Sequence, residues 1–159
     1  MYINVFELSS RKENAPFLSR LKAGVPWRGT YGQKKWKLGS FAANDPRTRR
    51  EAVDVVKRGM DAAATLGVRE VLVWPGQDGF EYPFQANHDR AWGYLVEGIR
   101  EAAQHRHDVR IGIEYKPKEP RVRSFVDTAA KSLLLCEAVG LPNVGVTVDL
   151  GHSLVAKEN

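Results

Sequence analysis

The chain has 159 residues, 24 of them basic and 19 acidic, and a hydrophobic fraction of 43%, which excludes disorder along the whole chain. Its one cysteine, Cys136, excludes an intrachain disulfide framework and a multi-cysteine zinc site, and no apolar run is long enough to cross a bilayer. We therefore expect a cytoplasmic protein with the size of one domain and no membrane partner.

Positive charge is concentrated near the amino terminus. Residues 1–50 contain 11 basic and 3 acidic residues, whereas the remainder contains 13 basic and 16 acidic residues. The basic residues of positions 1–33 are scattered among glycines and prolines without helical periodicity. We expect an irregular basic segment over residues 1–33, with a solvated surface rather than a nucleic-acid-binding site.

A capped apolar repeat predicts the first helix. Asp45 can cap a helix whose first residue is Pro46, and the repeat continues to about Gly67. Its apolar residues recur at helical spacing: Val53, Val56, Met60, Ala63 and Ala64. The apolar run 71–74 follows and ends at a Pro-Gly pair, which predicts a strand covered on both faces.

Two more helix–strand pairs follow along the chain. Apolar residues at spacings of three and four predict a second helix over residues 88–104, and alternation predicts a strand over 109–115. A third helix is expected from about Ser124 to Gly140, then a strand over 144–148 and a turn at Gly151. The predicted apolar stripe of the third helix consists of Ala129, Ala130, Leu133, Leu134 and Ala138.

This alternation belongs to the α/β class, with parallel strands joined by right-handed crossovers. A doubly wound sheet and a segment of a (β/α)8 barrel both remain open, although a complete barrel of about 250 residues is longer than this chain. In both architectures functional groups gather at the carboxyl ends of the strands. Trp74, Glu114 with Lys116, and Asp149 with His152 occupy those positions.

The polar residues at these strand ends suit a divalent metal. Glu114 and Lys116 are two apart on a strand, so they point to the same side, and Asp149 with His152 follows the next strand. Two carboxylates and an imidazole favour Mg²⁺, Mn²⁺ or Co²⁺ over a structural zinc site, while Lys116 can donate hydrogen bonds to a substrate oxygen. A structural ion pair, and a helix cap beside a surface histidine, are the alternatives.

Trp74 has two interpretations. It can pack in the core, which is the commoner role for such a residue, or it can form an apolar wall against the face of a sugar ring. No P-loop, GxGxxG run or GxSxG elbow occurs, so nucleotide-binding and serine-hydrolase functions are not supported.

Three stretches, VLVWPGQDG (71–79), IGIEYKPKEP (111–120) and VTVDLGH (146–152), resemble the xylose isomerase-like TIM-barrel family. Within it, the ExK followed by DxGH is most similar to the L-rhamnose isomerase and sugar isomerase branch. The resemblance implies that residues 34–159 form a partial (β/α)8 barrel with about strands 4 to 6.

The resemblance also implies roles for the strand-end residues. Glu114 would be a bridging metal ligand, Asp149 a second ligand, and His152 would help bind the catalytic metal and the substrate. Lys116, catalytic together with Glu114, would contact substrate oxygens, and Trp74 would line the sugar pocket. The family's further ligands are expected beyond Asn159, so the site would be incomplete and the chain inactive on its own.

The implied activity is aldose–ketose interconversion by a metal-assisted hydride shift, with Mn²⁺ as the first choice of ion and Mg²⁺ or Co²⁺ next. The partner is a small sugar substrate, and the complete enzyme is expected to be a homo-oligomer. A ketose 3-epimerase or a phosphosugar isomerase on the same scaffold, and a non-catalytic barrel fragment acting as an assembly module, are the alternatives.

Overall fold

The computed structural model describes residues 30–158. The elements in chain order are α1 (Pro46–Thr65), β1 (Glu70–Val73), β2 (Gly79–Phe80), α2 (His88–Gln104), β3 (Arg110–Glu114), β4 (Arg123–Ser124), α3 (Ala129–Val139), β5 (Val144–Thr147) and α4 (Leu150–Ala156), with single 3-10 turns at Lys34–Trp36 and Pro83–Gln85. Strands β1, β3 and β5 form one parallel sheet in that order. The predicted α/β fold, a partial barrel of adjacent βα units, is confirmed.

Helices α1 and α2 form where the sequence predicts them. Asp45 accepts hydrogen bonds from the backbone N–H groups of Arg47 and Thr48, which caps α1. Helix α2 spans residues 88–104, as predicted, and its Leu95 and Ile99 are fully buried. Helix α1 packs against α2 and α2 against α3, so the three helices lie side by side along the sheet.

The two faces of the sheet have different environments. The register aligns Val71 with Ile111 and Ile111 with Val144, and the face that carries these residues packs against the helices. The prediction that the first strand is covered on both faces is wrong. Leu72 and Trp74 are only partly buried because their face borders an open cavity.

Two loops at the carboxyl end of the sheet are joined by the short antiparallel pair β2–β4. Gly79 pairs with Ser124, so Ser124 belongs to a strand, and α3 begins later than expected, at Ala129. The fully buried Asp78 accepts hydrogen bonds from the backbone N–H and the hydroxyl of Ser40. These contacts tie the loop after β1 to the loop after β3 and to the segment before α1.

Helix α3 buries a different face from the predicted one. Leu133 and Leu134 are each 54% exposed, so the expected apolar stripe faces outward. The hydroxyl of Ser132 donates to the carbonyl of Ile113 at 3.0 Å, and this bond turns a polar residue toward the sheet. The buried face consists of Ser132, Leu135 and Val139.

Most of the predicted irregular segment over residues 1–33 lies outside the described residues, which begin at Thr30. The prediction of an irregular structure there is therefore not tested by the described residues. Among residues 30–158, no helix combines the length and apolarity that a membrane crossing requires.

Candidate metal centre

Three potential ligands converge at the carboxyl end of the sheet. Glu114 is the last residue of β3, Asp149 directly precedes α4, and His152 lies in the first turn of α4. One donor atom from each residue lies within 4.8 Å of the other two. Ligands at about 2.0–2.2 Å from a shared ion are at most about 4.4 Å apart, so small adjustments suffice for all three to bind one ion.

Asp149 and His152 are brought together by a helix start. The Asp149 side chain accepts a hydrogen bond from the His152 backbone N–H at 2.9 Å and so caps α4. The prediction of a turn at Gly151 is therefore wrong, because Gly151 lies inside α4. The capping interpretation of Asp149 holds, and it also brings His152 to Glu114.

The closest contact in the cluster joins His152 Nδ1 to Glu114 Oε1 at 3.0 Å. This Nδ1 is buried, and its geometry satisfies no hydrogen bond with any described residue. An unsatisfied buried nitrogen beside two carboxylates fits a divalent cation, which accepts lone pairs from all three groups. The donor set thus fits the predicted metal, although the ligand roles stay a prediction.

Burial dominates the electrostatics of Glu114. Only 8% of the residue is exposed, and burial raises the pKa of its carboxyl above the ordinary value. The His152 imidazole opposes this rise, while the nearby Asp149 carboxylate adds to it. A divalent ion would compensate the negative charge that burial and Asp149 disfavour.

Lys116 lines the same cavity, and its ion partner is Glu119 rather than Glu114, the partner in the alternative of a structural ion pair. Its Nζ lies 3.2 Å from Glu119 Oε2, whereas His152 is the basic side chain that contacts Glu114. Lys116 Nζ also lies 5.4 Å from the ring centroid of Trp74. The ammonium group is therefore held at the rim of the cavity, where it can meet an oxygen of a bound molecule.

The cavity has a volume of about 580 Å³, and Trp74 forms one of its walls. The indole ring lies 5.0 Å from the Tyr31 ring and 6.4 Å from the His152 ring, centroid to centroid. It also packs closely over Gly76. Trp74 thus has an apolar face next to the candidate ligands, as an aromatic wall of a pocket requires.

Comparison with known proteins assigns the fold family. The profile of the xylose isomerase-like TIM barrel family matches residues 19–159. The chain belongs to this family. This match does not distinguish the L-rhamnose isomerase branch from the other branches of the family.

Individual relatives agree with the family assignment. The chain is 26% identical over 144 residues to a xylose isomerase of Thermus thermophilus, a match that covers 87% of this chain and 37% of the relative. It is 34% identical to a structure of a protein from Sinorhizobium meliloti 1021, with a TM-score of 0.58 and coverage of 72% of this chain and 42% of that one.

Two further structures share the fold. The IolI protein, solved with a zinc atom, is 22% identical with a TM-score of 0.63, and the match covers 77% of this chain and 42% of that one. A D-psicose 3-epimerase solved in the presence of D-fructose is 20% identical with a TM-score of 0.63, covering 77% and 43%. The chain spans about two fifths of the length of each of these four proteins.

The cavity is also lined by four residues that the sequence did not indicate as site residues: Tyr31, Leu72, Thr147 and Val148. Leu72 and Thr147 each lie two residues before a predicted site residue, so strand alternation carries a signal for both. Tyr31 lies in a segment without periodicity, and only the folded chain brings its ring to Trp74.

Proposed function

We propose that this chain carries part of the active site of a divalent-metal-dependent sugar isomerase that interconverts aldoses and ketoses. The observation that supports this most strongly is the convergence of Glu114, Asp149 and His152 on one cavity that also contains Lys116. Membership of the xylose isomerase-like family and the match to a xylose isomerase agree with a sugar substrate. The ExK and DxGH spacing further favours the L-rhamnose isomerase branch.

In this proposal Glu114, Asp149 and His152 hold the metal, with Mn²⁺ as the first candidate because carboxylate oxygens dominate the donor set. A divalent ion held there would supply Lewis-acid polarisation of the sugar oxygens. Trp74 excludes water from one side of the cavity and packs against the C–H face of an open-chain sugar. Lys116 donates hydrogen bonds to a substrate oxygen and orients the reacting carbons.

The number of ligands limits what the site can do. Three protein donors among the described residues leave an octahedral ion with several water ligands, so we expect weak metal binding. We therefore propose that this chain alone has little or no isomerase activity and that further donors come from the rest of a barrel. Robust Mn²⁺-dependent turnover by the monomer, lost in Glu114→Gln, would overturn the inactivity but support the site.

The mechanism can be tested with an aldose that carries deuterium at C2. One reaction contains Mn²⁺ and this chain alone, and the other contains Mn²⁺ and a complete barrel of which this chain forms a part. A hydride shift moves the deuterium to C1 of the ketose, whereas proton transfer loses it to water. Glu114→Gln should abolish turnover in either setting. Glu70→Gln is the matched control, because Glu70 pairs with Arg110 at the opposite end of the same sheet.

A ketose 3-epimerase is the second candidate, since structures of such epimerases share this fold. An epimerase would convert a ketose in D2O into a second ketose that carries solvent deuterium at C3, and it would form no aldose. Lys116 favours the isomerase, because a cation that contacts a substrate oxygen assists polarisation without removing a proton. Deuterium transferred from C2 of the aldose to C1 of the ketose would decide for isomerisation. Deuterium incorporated from solvent at C3 of the ketose would decide for epimerisation.

A further inference from the structure

The last residue of β3 and the residue that follows it contact consecutive residues of helix α4. Glu114 faces the cavity and contacts His152, while Tyr115, the next residue, points to the opposite side. Tyr115 is 1% exposed, and its hydroxyl is hydrogen-bonded to the hydroxyl of Ser153. The end of β3 therefore holds α4 at two adjacent positions.

The Tyr115–Ser153 hydrogen bond continues to the backbone of Asp149. The Ser153 hydroxyl lies 3.2 Å from the carbonyl oxygen of Asp149 and can donate to it. In the Tyr115–Ser153 bond either hydroxyl can be the donor. The resulting relay runs from Tyr115 through Ser153 to the backbone of Asp149, which is itself a candidate ligand.

Helix α4 has little else to hold it. It contains seven residues, none of them buried, and its Leu150 and Leu154 are 79% and 76% exposed. Ala156 is partly buried and packs against the hydrophobic core, but so short a helix with so little buried surface gains little packing energy to fix its orientation. Polar contacts with the rest of the fold therefore contribute to that orientation.

One other polar contact restrains the carboxyl end of α4. Glu158 accepts a hydrogen bond from the backbone N–H of Ala129, the first residue of α3, at 2.9 Å, and its own N–H donates to the Ser153 carbonyl at 3.0 Å. This contact restrains the carboxyl end of α4, and the Glu158 carboxylate also neighbours the Tyr115 hydroxyl. Through Ser153 the same hydroxyl is linked to the backbone of Asp149, at the ligand end of the helix.

We propose that Tyr115 is a positioning residue for the metal centre: its hydroxyl holds α4 so that Asp149 and His152 face Glu114. The inference rests on the proposed metal site and assigns to Tyr115 no contact with metal or substrate. Residues that orient metal ligands in this way typically change metal affinity by about 10- to 100-fold when they are removed.

The test compares Tyr115→Phe with Tyr94→Phe in the full chain. Tyr94 lies on α2 under the Arg49 guanidinium, outside the lining of the cavity at the metal centre, and is the matched loss of a phenolic hydroxyl. We expect Tyr115→Phe to weaken Mn²⁺ binding about 10-fold or more by calorimetric titration and to accelerate amide exchange in α4. Tyr94→Phe should change neither quantity.

A second variant isolates the relay. Ser153→Ala should reproduce both effects, and the double variant should bind Mn²⁺ no more weakly than either single one, because both changes break the same chain of hydrogen bonds. Unchanged α4 exchange in Tyr115→Phe would overturn the inference, as would faster exchange with unchanged Mn²⁺ affinity.

Failure of the proposed metal site gives a different result. If the unsubstituted chain binds no Mn²⁺, the metal centre is refuted, and the inference is decided by the NMR signals of the His152 imidazole. Tyr115→Phe must shift these signals relative to Tyr94→Phe if the hydroxyl positions His152. Identical signals in the two variants would overturn it.

Discussion

Substituting Gly76 by alanine should displace the indole that walls the cavity. A Cβ at position 76 would lie 2.3 Å from Cζ2 and 2.4 Å from Cε2 of Trp74, whereas ordinary contact begins near 3.4 Å. The indole would have to withdraw by about 1 Å, which carries it from its place beside Tyr31 and His152. Overpacking of this kind typically costs about 1–3 kcal/mol.

The effect must come from this contact rather than from the backbone, because Gly76 is not one of the glycines with positive φ. Gly93→Ala is the control: a Cβ there meets nothing within 4 Å, and Gly93 lies inside α2. It should stabilise the chain by about 0.5–1 kcal/mol. Urea denaturation followed by circular dichroism measures both changes.

A smaller side chain at position 74 should relieve the clash. Trp74→Leu in the Gly76→Ala background is expected to cost less than the sum of the two single substitutions, since the atoms that collide are absent. Additive changes in the free energy of unfolding would show that the two side chains do not clash. So would a Gly76→Ala chain as stable as the unsubstituted one with unchanged tryptophan fluorescence.

Two further predictions concern stability. Leu135→Ala should cost about 2–5 kcal/mol of unfolding free energy, whereas Leu133→Ala and Leu134→Ala should stay within about 0.5 kcal/mol, because only Leu135 is buried; equal costs would contradict the burial pattern of α3. The Arg121 guanidinium holds the pKa of the Glu81 carboxyl below its ordinary value. This ion pair therefore stabilises the fold at pH values above the pKa that Glu81 has in the unfolded chain. Its contribution is lost as the pH falls through the lower pKa of the folded state. Glu81→Gln should therefore lower the thermal midpoint at neutral pH, and its difference from the unsubstituted chain should vanish in acid; a difference that persists in acid would contradict the assignment.

The helices and strands that the sequence predicted well are those with one uninterrupted signal. Helix α2 has apolar residues such as Leu95 and Ile99 at regular spacing, and its ends match the prediction. In α3 three leucines follow one another, so periodicity cannot tell which of them is buried. The bond from Ser132 to the Ile113 carbonyl decides the face, and it exists only after the strand and helix have packed.

The candidate site shows the same division. Parallel strands end at one edge of a sheet, and this rule alone brings Glu114 and Asp149 together. The ion partner of Lys116 was not predictable, because it depends on the path of the loop that carries Glu119. The role inferred for Tyr115 also requires the position of α4, which no local pattern indicates.

We propose that Glu114, Asp149 and His152 bind one divalent ion. Crystals grown with Mn²⁺ and measured on both sides of the manganese absorption edge test it most directly, because the anomalous signal locates the ion without assumptions about its ligands. We expect one strong peak about 2.0–2.3 Å from a donor atom of each of the three residues. A peak bound by other residues, or no peak between these three side chains at saturating Mn²⁺, would contradict it.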